Sequence, residues 1–279
     1  MQTTEYIVRR SEDHNLLLDY IARKLKLSKK SAKVLLDRRS ITVNGTRIWM
    51  ARHELRVGDT VGILVDAEEI TQSAKRTVAI LYRDDHLVVA AKPSGILACG
   101  AKSLETVLQR QLNLPSLRAV HRLDRDTSGC LIFACDTETF DRMVVAFRDK
   151  TVTKVYHAIL HGPMKPGEHR VSKPIGGQTA ISHVRILDVS AKASHVSVRI
   201  ETGRTHQIRI HLASVRHPVM GDRKYASGVK LSEKQAGIPR QMLHAQALRF
   251  PHPFTGTPMR VTAPLPSDFT QCLKTFKLT

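Results

Sequence analysis

Aromatic residues are scarce in this chain. Only 5% of its 279 residues are Phe, Trp or Tyr, and there is a single Trp. That scarcity argues against a row of stacking platforms for generic single strands. No apolar run approaches the ~20 residues that a membrane helix needs. The opening Met1-Gln2-Thr3-Thr4-Glu5 has neither the basic nor the apolar region of a secretory signal. Cysteine is limited to Cys99, Cys130, Cys135 and Cys272. None forms a Cys-x-x-Cys pair and no His/Cys cluster has zinc-like spacing, so the expectation is a reducing cytoplasm and no metal. Cys130 and Cys135 sit in an apolar run and read as small buried hydrophobes. A dinucleotide fingerprint, a P-loop, internal repeats and long low-complexity tracts are all missing.

Acidic residues are also few. Asp and Glu number 25 against 44 Lys and Arg, a net charge of +19, with a pI near 10.2. Such a field favours polyanions. Nucleic acid is the first partner to consider and an anionic membrane surface the second, but no basic amphipathic helix with a wide Trp/Phe/Leu face supports a membrane. High charge with few aromatics fits recognition of backbone and shape, with one or a few bases handled individually. A hydrophobic fraction of 42% over 279 residues allows a substantial core and more than one domain.

The first part reads as a separate module over residues 11–66. A helix opens at Leu16–Ala22, with Leu17, Leu18, Ile21 and Leu25 apolar. Ser28 is the expected N-cap of a second helix, in which Ala32, Leu35 and Leu36 share a face. From Arg23 to Arg39 there are eight basic residues and one acid, Asp37. Lys29, Lys30, Lys33, Arg38 and Arg39 are therefore candidate RNA contacts, with a merely solvated face as the alternative. Asn44-Gly45 between β-formers predicts a tight hairpin, and Gly58-Asp59 precedes another strand at 60–65. Residues 67–77 read as a polar linker. The remainder, residues 78–279, mixes strands and helices irregularly, which predicts α+β. Helices are expected at 103–112, from Asp136 or Thr137 to Arg148, and from a cap at Thr205 to His217, with Ile208, Leu212 and Val215 on one face.

Residues 121–129, His-Arg-Leu-Asp-Arg-Asp-Thr-Ser-Gly, set Asp124 between Arg122 and Arg125, just ahead of the apolar Leu131–Ala134. Flanking guanidinium groups favour an ionised carboxylate, which can serve as nucleophile or base. Taken alone, the stretch reads more readily as a loop ion pair before a buried strand.

The whole string resembles the signature of the RluA-type pseudouridine synthases, enzymes that isomerise uridine within folded RNA. Lys154-Val155-Tyr156 resembles that family's Lys-x-Tyr segment. Residues 202–211, Thr-Gly-Arg-Thr-His-Gln-Ile-Arg-Ile-His, resemble its third motif, and 81–85 with Lys92-Pro93-Ser94-Gly95 resemble its opening hairpin. His217–Asp222 and Leu243-His244-Ala245 complete the order from about residue 78 onward. Residues 11–66 resemble the S-four RNA-binding domain. The resemblance implies a mixed, mostly antiparallel bent-sheet catalytic domain behind a small α/β RNA-binding domain.

It also implies roles. Asp124 is the essential aspartate, Arg209 its ion-pair partner, and Tyr156 packs against the target uracil. Arg122 enters the RNA, Arg204 meets phosphate or braces its loop, His121 shapes the loop, and Thr127-Ser128-Gly129 form a tight turn. Isomerisation gains and loses no atoms, so no cofactor is expected. The implied partner is structured RNA. The S-four-like module points to large-subunit ribosomal RNA, with tRNA or both as the alternative. A non-catalytic RNA-binding assembly factor is the reading from another class. A monomer without membrane contact is expected.

Overall fold

A computed structural model describes residues 4–25, 27, 29–37, 40–63, 77–229 and 231–279, with the side chains of Lys30, Ser31 and Val34 left aside. The chain divides into two compact units, Met1–Thr77 and Val78–Thr279.

The first unit contains β1 (Thr4–Ile7), α1 (Leu17–Lys24), α2 (Lys29–Asp37), β2 (Ile41–Val43), β3 (Thr46–Arg47) and β4 (Thr60–Ile63). Its antiparallel sheet runs β1-β4-β2-β3. Leu17, Tyr20 and Ile21 of α1 and Ala32, Leu35 and Leu36 of α2 cluster with Ile41, Val43, Val61 and Ile63 of the sheet. The helical spacing of the apolar residues thus faces the core it implies. Asn44 and Gly45 turn the β2–β3 hairpin with φ of 50° and 77°, the double positive φ that a two-residue turn of this hand demands. Asn44 also donates to Asp59 at 2.8 Å and accepts from the Thr60 amide at 2.9 Å, tying the turn to β4. Strand β1 lies ahead of residue 11, where the sequence gives no module. Ser28, the expected cap, and Arg38 and Arg39 lie outside the described residues.

The second unit contains β5 (Ile80–Arg83), β6 (Leu87–Lys92), α3 (Leu104–Leu112), β7 (Arg118–Ala119), β8 (Ser128–Ala134), α4 (Thr137–Arg148), β9 (Thr153–His161), β10 (Glu168–Val171), β11 (Ser182–Ser190), β12 (Ala193–Ile200), α5 (Gln207–Ser214), α6 (Glu233–Ala236), β13 (Leu243–Pro251), β14 (Pro258–Thr262) and α7 (Ser267–Thr275). The main sheet runs β10-β11-β12-β9-β13-β8-β6-β5, with β14 on β13 and β7 on β8. Among the described residues its pairs are antiparallel apart from β8 with β13. The fold is α+β with a mixed, mostly antiparallel sheet, as the sequence implies.

Four helices pack on the sheet, the first being α3, whose Leu104 and Leu108 join Val88, Ala90, Leu131 and Phe133. Ile208 and Leu212 of α5 join the cluster of Tyr156, Val184 and Val198. Met143 of α4 packs with Val89, Cys130, Ile132 and Leu248. Phe269, Cys272 and Leu273 of α7 pack with Ile159, Met220 and Met242. Each fully buried Leu or Phe contributes about 1.5–3 kcal/mol. Cys130 is buried as expected, while Cys135 at the strand exit is half-buried.

Two sequence expectations need correction. Ser128 and Gly129 are already strand, and the turn before them is closed by the Thr127 amide on the Asp124 carbonyl at 3.1 Å. Gly129 has φ +117°, and a Cβ there would lie 2.2 Å from the Ala245 carbonyl oxygen. It is glycine because β8 and β13 meet backbone to backbone. Helix α5 begins at Gln207 and not after a cap at Thr205, and it stops at Ser214 rather than His217. Its N-cap is His206, in left-handed conformation at φ 56°. The entry is satisfied by Gln207, whose side-chain oxygen accepts from the Arg204 amide and the Thr202 hydroxyl while its NH₂ group donates to Ile181 and Ser182. Arg216, at φ 66°, ends the turn, and Val215 is exposed rather than packed with Ile208 and Leu212.

Candidate active site

The loop between β7 and β8 carries Asp124, and the structure holds that loop from both sides. On one side the buried Lys92 ammonium, at the end of β6, donates to the carbonyls of Pro93, Ile96 and Arg125 at 2.8–2.9 Å. The Gly95 amide donates to the same Arg125 carbonyl at 2.9 Å. On the other side Arg240 donates to the Asp126 carbonyl at 3.1 Å and the Ser128 hydroxyl at 3.3 Å, and Gln241 donates to the Thr127 hydroxyl at 2.7 Å. Arg240 is itself anchored by two bonds to Asp268 of α7, at 2.6 and 2.9 Å. Carbonyls 124, 125 and 126 therefore all have donors, which fixes the backbone that presents the carboxylate. Beneath the loop, His121 is half-buried and accepts the Ile132 amide at 3.1 Å. Burial pushes its pKa down to about 3, so the ring is neutral.

The partner of Asp124 is Arg209 of α5, whose Nη1 donates to Asp124 Oδ2 at 3.0 Å. Its Nε and Nη2 make two further bonds to Asp222, at 2.6 and 2.9 Å. Asp222 also accepts the amides of Lys224 and Tyr225, and its side chain is completely buried. Burial by itself raises the Asp222 carboxyl, but the Arg209 guanidinium outweighs it and holds the group below the usual carboxylate range. Burial likewise works against the charge on Arg209, and its hydrogen bonds to Asp222 and Asp124, with their charges, more than offset it. The result is a fixed cation whose free edge meets a carboxylate that is 18% exposed. His206 Nε2 stands 3.9 Å from the other Asp124 oxygen, and its Nδ1 shares a hydrogen bond of 2.9 Å with the Tyr225 hydroxyl.

These groups open on a cleft of about 80 Å³ lined by Arg122, Asp124, Tyr156, Arg204, His206 and Arg209, among others. Burial raises the Tyr156 phenol pKa and the Asp124 charge adds to the effect, so the ring presents a neutral face and a neutral hydroxyl. The structure thus brings Asp124, Tyr156 and Arg209 together, with Arg122 and Arg204 at the mouth. Arg204 also donates to the Thr179 carbonyl at 3.2 Å, bracing its loop. The sequence neighbours of Asp124 are not its ion-pair partners: Arg125 turns away to donate to the Gly95 carbonyl at 3.2 Å, and Arg122 is exposed. Asp222, Lys92, Arg240 and Tyr225 were assigned no role from sequence, although Lys92 and Asp222 stand inside recognised motifs. Among the described residues no three His, Cys, Asp or Glu side chains converge as metal ligands, and no helix is long and apolar enough to cross a membrane.

In the first unit Lys29 is 72% exposed and pairs with Asp19 at 2.8 Å. Lys33 is exposed. The Lys30 side chain, like Arg38 and Arg39, is outside the described residues.

Residues 86–214 match the family described as RNA pseudouridylate synthase. The chain is 32% identical over 276 residues to ribosomal large subunit pseudouridine synthase D of Vibrio vulnificus, covering 87% of this chain and 84% of that protein. The chain belongs to the RNA pseudouridylate synthase family. It is an isomerase that converts uridine to pseudouridine in RNA. This synthase is also 30% identical over 299 residues to YhcT of Bacillus subtilis, described as an uncharacterized RNA pseudouridine synthase, with 98% and 97% of the two chains covered. Human RNA pseudouridylate synthase domain containing 4 shares its fold at a TM-score of 0.62 and 25% identity, over 76% of this chain and 97% of that one.

Proposed function

We propose that this synthase modifies large-subunit ribosomal RNA, and that Asp124 is the catalytic residue. The observation that carries the reading is the Arg209–Asp124 hydrogen bond of 3.0 Å at the mouth of the cleft that Tyr156 shares. The name borne by the Vibrio relative supports the choice of substrate.

In the reaction the bond from uracil N1 to ribose C1′ breaks and a bond from C5 to C1′ forms. Carbon 5 gives up its hydrogen and N1 gains one, so the atoms balance and no redox partner or group donor enters. The target nucleoside leaves its stack at a cost of a few kcal/mol. Arg122, exposed at the rim, fills the gap with a planar guanidinium that stacks on and bonds to bases. The Asp124 carboxylate meets the extruded nucleoside and serves the step that frees N1 from C1′. Arg209, locked by Asp222, orients that carboxylate. Tyr156 covers the detached uracil, keeps water out and supplies stacking of about 1–3 kcal/mol. Its raised pKa favours this role over that of a general base. Residues 11–66 act as an S-four-like RNA-binding domain joined by 67–77 to the catalytic domain 78–279, with Lys29, Lys30, Lys33, Arg38 and Arg39 on RNA phosphates. The enzyme works as a cytoplasmic monomer without membrane contact.

The test is pseudouridine mapping of ribosomal and transfer RNA from cells with and without the gene. Loss of a large-subunit position supports the reading; loss confined to a tRNA position overturns the substrate. With purified protein, Asp124→Asn is expected to abolish tritium release from 5-tritiated uridine RNA while RNA still binds. Strong residual release would remove Asp124 from the chemistry and revive the non-catalytic alternative.

A further inference from the structure

One face of the main sheet is left partly uncovered, and it does not belong to the cleft. Tyr156 and Val198 point to the α5 side, where the cleft lies. Residues of opposite parity on the same strands point to the other side. There α7 covers Ile159 and Ala193 at one end. On the strands from β10 to β14 the exposed charges of that face are Arg170, Arg185, Arg199, Arg249, Arg260 and one acid, Glu168. Arg170 of β10 stands opposite His183 of β11, and His183 stands opposite Arg199 of β12. Arg199 is opposite Val155 of β9. One pair position along β9, Thr153 is opposite Arg249 of β13, and Arg249 is opposite Arg260 of β14. Arg170, Arg199, Arg249 and Arg260 are all exposed.

Two features set this stripe apart from an ordinary solvated surface. First, Arg249 and Arg260 are direct cross-strand partners, an arrangement that costs stability because like charges oppose one another. Among the described residues neither comes within 4 Å of a carboxylate that would relieve it. Two acids share the face, Glu201, bonded to His183 at 2.6 Å, and Glu168, the cross-strand partner of Arg185; neither pairs with Arg249 or Arg260. Second, the two arginines flank an open groove of about 520 Å³ whose lining also holds Thr151, Thr153, Phe250, Pro251, Pro258 and Met259. The Thr151 hydroxyl already donates to the Ala146 carbonyl at 3.0 Å, which leaves the two guanidinium groups and Thr153 as the donors that can bind phosphate oxygens.

We infer that this basic sheet face is a second RNA-binding surface, one that holds the sugar-phosphate backbone of a helix remote from the target uridine. From β10 to β14 the stripe crosses five inter-strand steps of about 4.8 Å, roughly 24 Å in all. That length suits an extended polyanion and not a small anion. The exposed charged groups of the face are mostly donors, and Phe250, the ring that lines the groove, is buried, which suits backbone rather than base recognition. A large folded RNA can thus be gripped on both sides of the sheet, with the cleft reading one nucleoside and the opposite face adding salt-sensitive affinity. The inference rests on the reading of the chain as an enzyme of a large folded RNA.

The experiment compares the full chain with R199Q/R249Q/R260Q, using a fluorescently labelled 24-base-pair RNA duplex as probe over a salt series. Loss of three phosphate contacts is expected to weaken duplex binding at least about tenfold at 0.1 M salt, and to lower the slope of log K against log salt by roughly 2–3. A control variant, R83Q/R110Q/K234Q, removes the same charge from exposed positions outside this face and is expected to keep the slope. On transcribed large-subunit RNA containing tritiated uridine, the triple arginine variant is expected to raise KM about tenfold and leave kcat within twofold. An unchanged duplex slope overturns the inference, and so does an equal effect of the control, which would mean that net charge alone matters. Polyglutamate displacing the duplex as effectively as unlabelled RNA of equal charge overturns it in favour of an acidic protein partner. Absence of tritium release from the unaltered enzyme would instead refute the substrate reading, independently of the duplex measurement.

Discussion

Asp222 holds Arg209 through two hydrogen bonds, at 2.6 and 2.9 Å, and the third donor edge of the same guanidinium meets Asp124 at 3.0 Å. One planar cation therefore transmits the position of a buried acid to an accessible one. Asp222→Asn keeps the shape but loses the charge that fixes Arg209. We expect kcat to fall roughly 10²-fold, about 2.7 kcal/mol in the barrier, with RNA affinity unchanged within threefold. Asn is the informative variant because Ala would strand a buried cation, a loss of about 3–5 kcal/mol that could unfold the site. Arg209→Lys should behave like Asp222→Asn, since an ammonium offers no planar fork to bridge two carboxylates. Single-turnover tritium release together with RNA titration checks both; full activity in either variant would remove the bridge from the mechanism.

Gly129 and Gly95 separate two reasons for glycine in one experiment. Both have positive φ, +117° and +85°, but a Cβ at Gly129 would strike the Ala245 carbonyl at 2.2 Å, whereas nothing lies within 4 Å at Gly95. Gly95→Ala should cost only the left-handed backbone penalty, about 1–2 kcal/mol. Gly129→Ala adds the separation of β8 from β13 and should cost more than about 3 kcal/mol, lowering Tm by roughly 6–12 °C or preventing folding. Equal thermal shifts would mean that the strand crossing gives way without strain.

Much of this was readable beforehand, because the relevant signals are local. The Asn44-Gly45 turn, the cap at Asp136 and the buried face of Ala32, Leu35 and Leu36 each depend on residues a few positions apart. Asp124, Tyr156 and Arg209 were legible for a different reason: their motifs are long enough to be recognised as a set. What was missed is long-range. Arg240 reaches the Asp126 carbonyl 114 residues away, and Lys92 reaches the Arg125 carbonyl 33 residues away; no local pattern announces a side chain whose partner is a distant backbone oxygen. The expected cap at Thr205 failed because Gln207, inside the helix, satisfies the entry through its own amide. The alternative of a loop ion pair between Asp124 and its sequence neighbours does not form, because adjacent side chains on a turn diverge, while Arg209, the partner the motif resemblance implies, arrives on a helix brought by the fold.

Lys29 and Lys33 test whether the first unit grips RNA. Lys29 makes one exposed ion pair, with Asp19 at 2.8 Å, and such pairs are worth about 0–1 kcal/mol. The double variant Lys29→Gln/Lys33→Gln should therefore leave Tm within about 2 °C of the parent. If both ammonium groups sit on phosphates, the slope of log K against log salt should fall by roughly 1.5–2. A filter-binding salt series gives the number, and an unaltered slope would mean that the helix face is only solvated.

His121 and His244 make acid sensitivity a property of the catalytic domain. His121 accepts the Ile132 amide, and His244 lies between the Ser128 hydroxyl and the Ala263 carbonyl, at 2.9 and 3.2 Å. Burial lowers their pKa values to about 3 and about 4, against about 6.5 in an unfolded chain. Between pH ~6.5 and ~4 the unfolded chain binds these protons and the folded chain refuses them, so stability falls as pH falls through that window. Each histidine should remove about 2 kcal/mol by pH 5, using 1.36 kcal/mol per pK unit. The paired carboxylates, Asp222 among them, titrate lower and add their losses only toward pH 4 and below, so the range from 6.5 to 5 isolates the histidines. Urea midpoints should drop across that range, and His244→Gln should start lower yet fall less steeply. A flat parent profile from pH 7 to 5 would show that these rings take up protons without disturbing the loop that carries Asp124.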